Sequence, residues 1–128
     1  MVIKNITSIE AAKTLQLTNN AKLIDVRSEG EWKNYGIPEY DSFRLLLLPW
    51  RIFPSMEINS DFQKSINSQI KDKKAALFFI CKSGFRSLEA AEFVKSLGYL
   101  DCYNVIDGTE GNVSGKGWKY NNLPWQSF

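Results

Sequence analysis

The sequence of 128 residues contains no histidine. Without an imidazole, neither a Ser-His-Asp triad nor a Cys-His pair can activate a nucleophile. Histidine-based metal centres are excluded too, and two cysteines alone cannot complete a closed zinc site. Any nucleophile here must be activated by cationic side chains, backbone N–H groups or a helix terminus. We therefore expect neither a metal nor a cofactor.

Neither positive nor negative charge predominates in the sequence, and its apolar runs are short. The 16 Lys and Arg nearly balance the 14 Asp and Glu, and the small net charge of +2 gives a nucleic-acid partner no support. The longest apolar run, residues 75–81, has the length of a strand rather than of a membrane span. The N-terminus lacks the pattern of a signal peptide. We expect a cytoplasmic protein that does not contact membranes, with Cys81 and Cys102 as free thiols.

Strand-like and helix-like patterns alternate along the chain, which predicts one α/β domain over residues 1–128 with a largely parallel sheet. Residues 50–59 show few periodic cues and are expected to be irregular, and residues 36–38 are expected to form a turn. The predicted strands cover residues 2–6, 21–27, 42–50, 75–81 and 102–106. The predicted helices cover residues 11–17, 28–34, 61–70 and 87–97. Thr7 with Glu10 and Ser28 with Glu31 match the capping-box pattern that precedes a helix, which marks the starts of the first two.

Two predicted strands end in reactive or charged side chains. The strand at 21–27 ends with Asp25 and Arg27, and the strand at 75–81 ends with Cys81. In open parallel sheets the functional crevice lies beyond the carboxyl ends of the strands. These three side chains are therefore candidates for one site.

The segment CKSGFRS, residues 81–87, predicts an anion-binding loop. A strand ends at Cys81 and a helix is predicted to begin near Ser87, with the flexible Gly84 between them allowing a tight curl of inward amides. These amides, the helix N-terminus and the Arg86 guanidinium all favour negative charge on the sulfur, and Lys82 adds a second cation. We expect the cysteine to be mostly a thiolate at neutral pH.

A cysteine at the end of an apolar strand is more commonly a small core residue. The basic loop that follows favours the reactive interpretation for Cys81, whereas Cys102 has no such context and is expected to lie in the core. Trp50, Phe53 and Trp118 are expected to serve packing rather than ligand stacking.

Several motifs together resemble the rhodanese family, specifically bacterial single-domain rhodaneses. The resemblance implies a single rhodanese-like domain with a central, mostly parallel sheet of about five strands and helices on both faces. Three departures stand out: Tyr35 where the family usually has His, Gly108-Thr109 in place of a double glycine, and the bulky Phe85. The motifs are DVR at 25–27, EW at 31–32, GIP at 36–38, CKSGFRS at 81–87, and the segments 49–62 and 117–125.

The resemblance implies sulfur transfer. A thiolate attacks a sulfane sulfur donor such as thiosulfate, sulfite leaves, and the resulting persulfide passes its outer sulfur to a thiol or to cyanide. The implied partners are a small anionic sulfur donor and a thiol or protein acceptor. A protein persulfide is a second candidate donor, and the mercaptopyruvate-type loop differs from this one. The implied residues are catalytic Cys81 and Arg86, substrate-binding Lys82, Ser83, Gly84, Phe85 and Ser87, and supporting Asp25 and Arg27.

Two other functions remain as alternatives. Cysteine phosphatases and arsenate reductases need five residues between Cys and Arg, and here only four intervene between Cys81 and Arg86. A non-catalytic rhodanese module that binds a partner usually loses the cysteine or the arginine, and both are present. The sequence therefore favours a transferase over either alternative.

Overall fold

The structure, a computed structural model, describes residues 2–128. None of the helices in this range is long and apolar enough to cross a bilayer. In chain order the elements are β1 (Lys4–Ile6), α1 (Ser8–Leu17), β2 (Ala21–Asp25), α2 (Glu29–Tyr35), β3 (Ile37–Pro38), β4 (Leu45–Leu47), β5 (Arg51–Ile52), β6 (Glu57–Ile58), α3 (Phe62–Gln69), β7 (Ala76–Ile80), α4 (Phe85–Ser96), β8 (Cys102–Val105) and β9 (Trp125–Gln126).

The core is a five-stranded sheet with the order β1-β8-β7-β2-β4, and every neighbouring pair is parallel. All five residues of the central strand β7 are buried, as expected for a strand covered on both faces. The predicted α/β class, the parallel sheet and the central position of the strand at 75–81 are confirmed.

Side chains that alternate along β7 separate two apolar cores, one on each face of the sheet. Leu77 and Phe79 belong to the core that α3 and α4 cover. Phe78 and Ile80 belong to the core under α1 and α2. The prediction of helices on both faces is therefore confirmed.

The first two helices begin at capping boxes that the sequence predicts. Thr7 and Glu10 exchange side chain–backbone hydrogen bonds at the start of α1, and Ser28 and Glu31 do the same at the start of α2. These reciprocal bonds satisfy backbone N–H groups that a helix start leaves free. The second box matters for the site because it fixes the Glu31 carboxylate.

The segments 51–58 and 36–38 differ from the prediction. Residues 51–58 were expected to be irregular, but β5 and β6 form a short antiparallel hairpin there, and Glu89 of α4 pairs with Arg51 and accepts from the Trp50 indole N–H. The turn at 36–38 contains β3, which pairs with β9 of the C-terminal tail. The hairpin itself is local, but its contacts with Glu89 and the β3–β9 pairing join segments far apart in sequence, which local periodicity does not indicate.

Candidate active site

Cys81 follows β7 directly, and its sulfur faces backbone N–H groups. The Gly84 and Ser87 amides donate to Sγ at 3.2 and 3.3 Å, and the Ser87 hydroxyl lies 3.2 Å from it. The side chain is 1% exposed, so these bonds act with little competition from water. They lie at the N-terminus of α4, where the helix dipole also favours negative charge. The arrangement suits an anion on sulfur.

The Ser87 hydroxyl connects the sulfur to Asn104 of β8. Its Oγ donates to Asn104 Oδ1 at 2.6 Å, and Asn104 Nδ2 donates to the Gly84 carbonyl at 3.1 Å. A hydroxyl has one proton, so it can serve one acceptor at a time. A protonated sulfur leaves that proton with Asn104, whereas a thiolate can draw it to itself. The pair thus accommodates both states of the cysteine.

Two glycines give the loop its close approach to the strand end of β8. Gly84 has φ +95°, and a Cβ there would lie 2.8 Å from the Ile106 carbonyl oxygen. Gly108 has φ +62°, and a Cβ there would lie 2.2 Å from the Lys82 carbonyl oxygen. Because both positions combine left-handed backbone with backbone contact, only glycine fits them. With Gly84 as the N-cap, α4 begins at Phe85 rather than near Ser87 as predicted.

Arg86 does not bond to the sulfur but joins α4 to α2. Its Nη1 and Nη2 donate to Glu31 Oε1 and Oε2 at 2.7 and 2.9 Å, and the two side chains are only 13% and 14% exposed. Burial alone would raise the pKa of the Glu31 carboxyl, but hydrogen bonds from Arg86 and Ser28 outweigh it and lower the pKa to about 2. Burial alone would lower the pKa of the Arg86 guanidinium, but the hydrogen bonds and the charge of Glu31 outweigh it and raise this pKa. The guanidinium therefore remains charged beside the loop.

Because of the Arg86–Glu31 pair, we expect part of the free energy of unfolding to depend on pH in the acid range. Because folding lowers the Glu31 pKa from 4.5 to about 2, the carboxylate stabilises the fold above pH 4.5 and this contribution is lost as the pH falls towards 2. Allowing for the solvent that still reaches the pair, we expect Glu31→Gln to cost about 2 kcal/mol at pH 7. Urea unfolding at several pH values should show this gap closing between pH 4.5 and 2. A gap that stays constant over that range would contradict the assignment.

Asp25 and Arg27 form a second pair, fully buried at the end of β2. Arg27 Nε donates to Asp25 Oδ1 at 3.0 Å, and Nη2 donates to Oδ2 and to the Gly36 carbonyl, both at 2.8 Å. The guanidinium also lies 5.5 Å from the centre of the Trp125 ring. Arg27 thus connects the end of β2 to the turn before β3 and to the C-terminal tail, a supporting position for the site.

A cavity of about 390 Å³ opens beside the cysteine loop. It brings together Arg27, Lys82 and Arg86 of the predicted residues, while Cys81, Ser83, Gly84, Phe85 and Ser87 are not among its lining side chains. Phe85 is 74% exposed. The lining residues are Arg27, Glu31, Tyr35, Phe53, Lys82, Arg86, Thr109 and Glu110.

Some residues of the site are absent from the sequence-based prediction. Glu31 was assigned to a helix cap and to the EW motif, and Phe53 to packing, yet both line the cavity, where the Phe53 ring centre lies 5.5 Å from the Arg86 guanidinium carbon. The sequence did offer a clue to Asn104, because it is a polar residue inside an apolar strand. The clue to Thr109 and Glu110 was weaker: the family's usual double glycine is replaced by Gly108-Thr109.

Cys102 lies in the core, as expected. Its Sγ donates to the Tyr99 carbonyl at 3.0 Å, and burial, followed by the nearby Asp101 carboxylate, raises the pKa of its thiol to about 12. It is therefore an unreactive cysteine within the same domain. Among residues 2–128, no group of three or more Cys, Asp or Glu is arranged to hold a metal ion.

Comparison with known proteins assigns the chain to a family. Residues 4–128 match the model of the STR4 middle domain. The chain is 47% identical over 127 residues to an uncharacterised Rickettsia prowazekii protein, covering 98% of this chain and 99% of that one. It is 27% identical to the chloroplastic rhodanese-like domain-containing protein 4 of Arabidopsis thaliana, covering 91% of this chain and 25% of that one.

Solved structures agree with this assignment. The crystal structure of Rv0390 from M. tuberculosis is 31% identical, with a TM-score of 0.86 and full coverage of both chains. The polysulfide-sulfur transferase homodimer from Wolinella succinogenes has a TM-score of 0.72 at 21% identity, covering 98% of this chain and 80% of that one, and supports the fold alone. The chain belongs to the STR4 middle-domain family and has a rhodanese-like fold.

Proposed function

We propose that this protein is a sulfurtransferase that carries sulfane sulfur as a persulfide on Cys81. The observation that supports this most is the sulfur held by the Gly84 and Ser87 amides at the start of α4. Backbone N–H groups aimed at one atom stabilise negative charge there without histidine. Both the attacking thiolate and the persulfide product are anions, so one set of donors serves both.

The first half-reaction forms the persulfide. The Cys81 thiolate attacks the outer sulfur of a donor such as thiosulfate, a new S–S bond forms, and the donor's own S–S or S–sulfonate bond breaks. With thiosulfate, sulfite leaves with the bonding electron pair, and the persulfide keeps one negative charge. The charge is three negative units before and after the step, and no oxidant is required.

The outer sulfur of the persulfide has unused hydrogen-bond donors near it. Across residues 2–128, the amides of Lys82, Ser83, Phe85 and Arg86 make no hydrogen bond to another protein group. The S–S bond extends about 2 Å from Sγ, which brings the second sulfur towards these loop amides. They are therefore the groups that would hold it.

Lys82 is the proposed recruiter of anionic donors. Arg27 and Arg86 are each neutralised by a carboxylate, whereas Lys82 is exposed at the cavity and forms no ion pair within the described chain. The exposed Phe85, in the same loop as Lys82, offers an apolar contact for a protein that receives or delivers sulfur.

Mass spectrometry after incubation with thiosulfate tests the proposal. We expect one added sulfur atom on the peptide that contains Cys81 and none on the peptide that contains Cys102, whose thiol stays protonated. A reductant should remove the added sulfur. An unmodified Cys81 peptide after thiosulfate and after a persulfide donor would contradict the proposal.

One observation favours a different function, a non-catalytic module that binds a partner. The Cys81 side chain is 1% exposed and does not line the cavity. A sulfur donor therefore reaches it only if the loop at residues 81–87 moves slightly. A protein that stays unmodified but whose Cys81→Ser variant still binds its partner would support that alternative.

A further inference from the structure

Glu110 places an unpaired carboxylate in the wall of the cavity. Its Oε2 is buried and has no hydrogen-bond partner among residues 2–128, and its carboxylate is in no ion pair there. The neighbouring Thr109 hydroxyl is likewise buried without a partner. Both residues line the same cavity as Lys82 and Arg86. Because buried polar groups are nearly always satisfied, two unsatisfied groups on neighbouring residues of one cavity wall are positions where a ligand can supply the missing bonds.

The backbone holds Glu110 firmly beside the cysteine loop. The Thr109 amide donates to the Cys81 carbonyl at 2.9 Å, and the Glu110 amide donates to the Lys82 carbonyl at 3.1 Å. On the other side, the Lys119 amide donates to the Thr109 carbonyl at 3.1 Å. The segment is thus bonded on both sides, which fixes the backbone of Glu110 next to the cysteine loop.

The charges around the cavity favour a neutral acceptor. Asp25 neutralises Arg27 and Glu31 neutralises Arg86, which leaves one cation at Lys82 and one anion at Glu110. A second anion entering beside the persulfide would meet the Glu110 carboxylate as well. A thiol enters uncharged, since thiols ordinarily ionise near pH 8.5 and are mostly protonated at neutral pH.

We infer that Glu110 is the general base for the second half-reaction, an inference that rests on the proposed function. Glu110 takes the proton of the incoming thiol, whose sulfur then attacks the outer sulfur of the Cys81 persulfide. The S–S bond of the persulfide breaks, and Cys81 leaves as the thiolate. Glu110 returns the proton to the new persulfide, so that one thiol and one enzyme persulfide give one free persulfide and one thiolate.

Single-turnover transfer to two kinds of acceptor tests this role. The protein is first loaded with sulfane sulfur, and loading is confirmed by mass spectrometry. It is then mixed at pH 7 with 2-mercaptoethanol, which must lose a proton, or with sulfite, which accepts sulfur without losing one. Glu110→Gln is expected to slow transfer to the thiol by at least about a hundredfold, the lower end for loss of a general base. Transfer to sulfite should be unchanged or faster, because a repelling charge is gone.

The dependence on pH separates a base from a structural residue. In Glu110→Gln, transfer to the thiol depends on thiol that is already ionised, so its rate should rise about tenfold per pH unit towards pH 8.5. The wild-type rate should rise less steeply, and Glu110→Asp should recover part of the wild-type profile. Glu92→Gln, which removes an exposed carboxylate on α4, is the matched control and should change neither rate.

The results distinguish this inference from the proposed function. Equal losses with thiol and sulfite, or no loss with either, would overturn the role of Glu110 while leaving the persulfide in place. Failure of the wild-type protein to load sulfur would instead overturn the proposed function.

Discussion

Replacement of Cys81 by serine is expected to abolish sulfur transfer from thiosulfate to cyanide while leaving the fold intact. A serine hydroxyl is not ionised at neutral pH and cannot form a persulfide, so activity should fall below detection, a loss of at least about a thousandfold. The serine oxygen can still accept from the Gly84 and Ser87 amides, which keeps the loop in place. Transfer is measured by thiocyanate formation, and folding by thermal unfolding.

The matched control is Cys102→Ser. That cysteine is buried like Cys81 but bonds only to the Tyr99 carbonyl, which a serine hydroxyl can also do. It should keep wild-type turnover. Wild-type turnover in Cys81→Ser would show that Cys81 is not the nucleophile.

Replacement of Arg86 by alanine is expected to have the next largest effect. It removes a guanidinium beside the loop and leaves the largely buried Glu31 carboxylate without its charged partner. We expect sulfur transfer to fall at least about a hundredfold, comparable to the loss of one preorganised stabilising group at an anionic centre. The pH midpoint of alkylation by iodoacetamide should also move upward, because the thiolate loses a stabilising cation. An unchanged midpoint would count against a role of Arg86 in ionising the sulfur.

Two further variants separate charge from geometry at Arg86. Arg86→Lys keeps the charge but cannot make the paired bonds to both Glu31 oxygens, so it should recover the alkylation midpoint better than it recovers stability. Arg51→Ala removes the arginine that pairs with Glu89 on the same helix, away from the sulfur. It should affect stability slightly and the midpoint not at all.

Local patterns in the sequence predicted most of the sheet and the identity of the loop. The apolar run before Cys81 indicated the buried central strand, and the capping boxes at Thr7 and Ser28 indicated where α1 and α2 begin. The predicted start of α4 was less accurate, since that helix begins at Phe85 rather than near Ser87. The N-cap of α4 is a left-handed glycine, and its position depends on backbone contacts with Ile106.

The groups around the sulfur were harder to predict because their partners lie far along the chain. The sequence gives no local sign that Glu31 meets Arg86 across 55 residues, or that Ser87 meets Asn104 across 17. Glu110 reaches the cavity only because the turn at Gly108 bonds to the loop. Tertiary pairing, rather than periodicity, therefore decides which charges remain unpaired at the site.

The hydrogen bonds to the Cys81 sulfur have a consequence for engineering. Two of the three contacts come from peptide groups, which every amino acid except proline carries. The exposed side chains at 83 and 85 are consequently available for diversification, and a library at these two positions would alter which proteins dock beside the loop while leaving the backbone donors in place. Retargeting the domain to a new sulfur acceptor then becomes a problem of surface recognition.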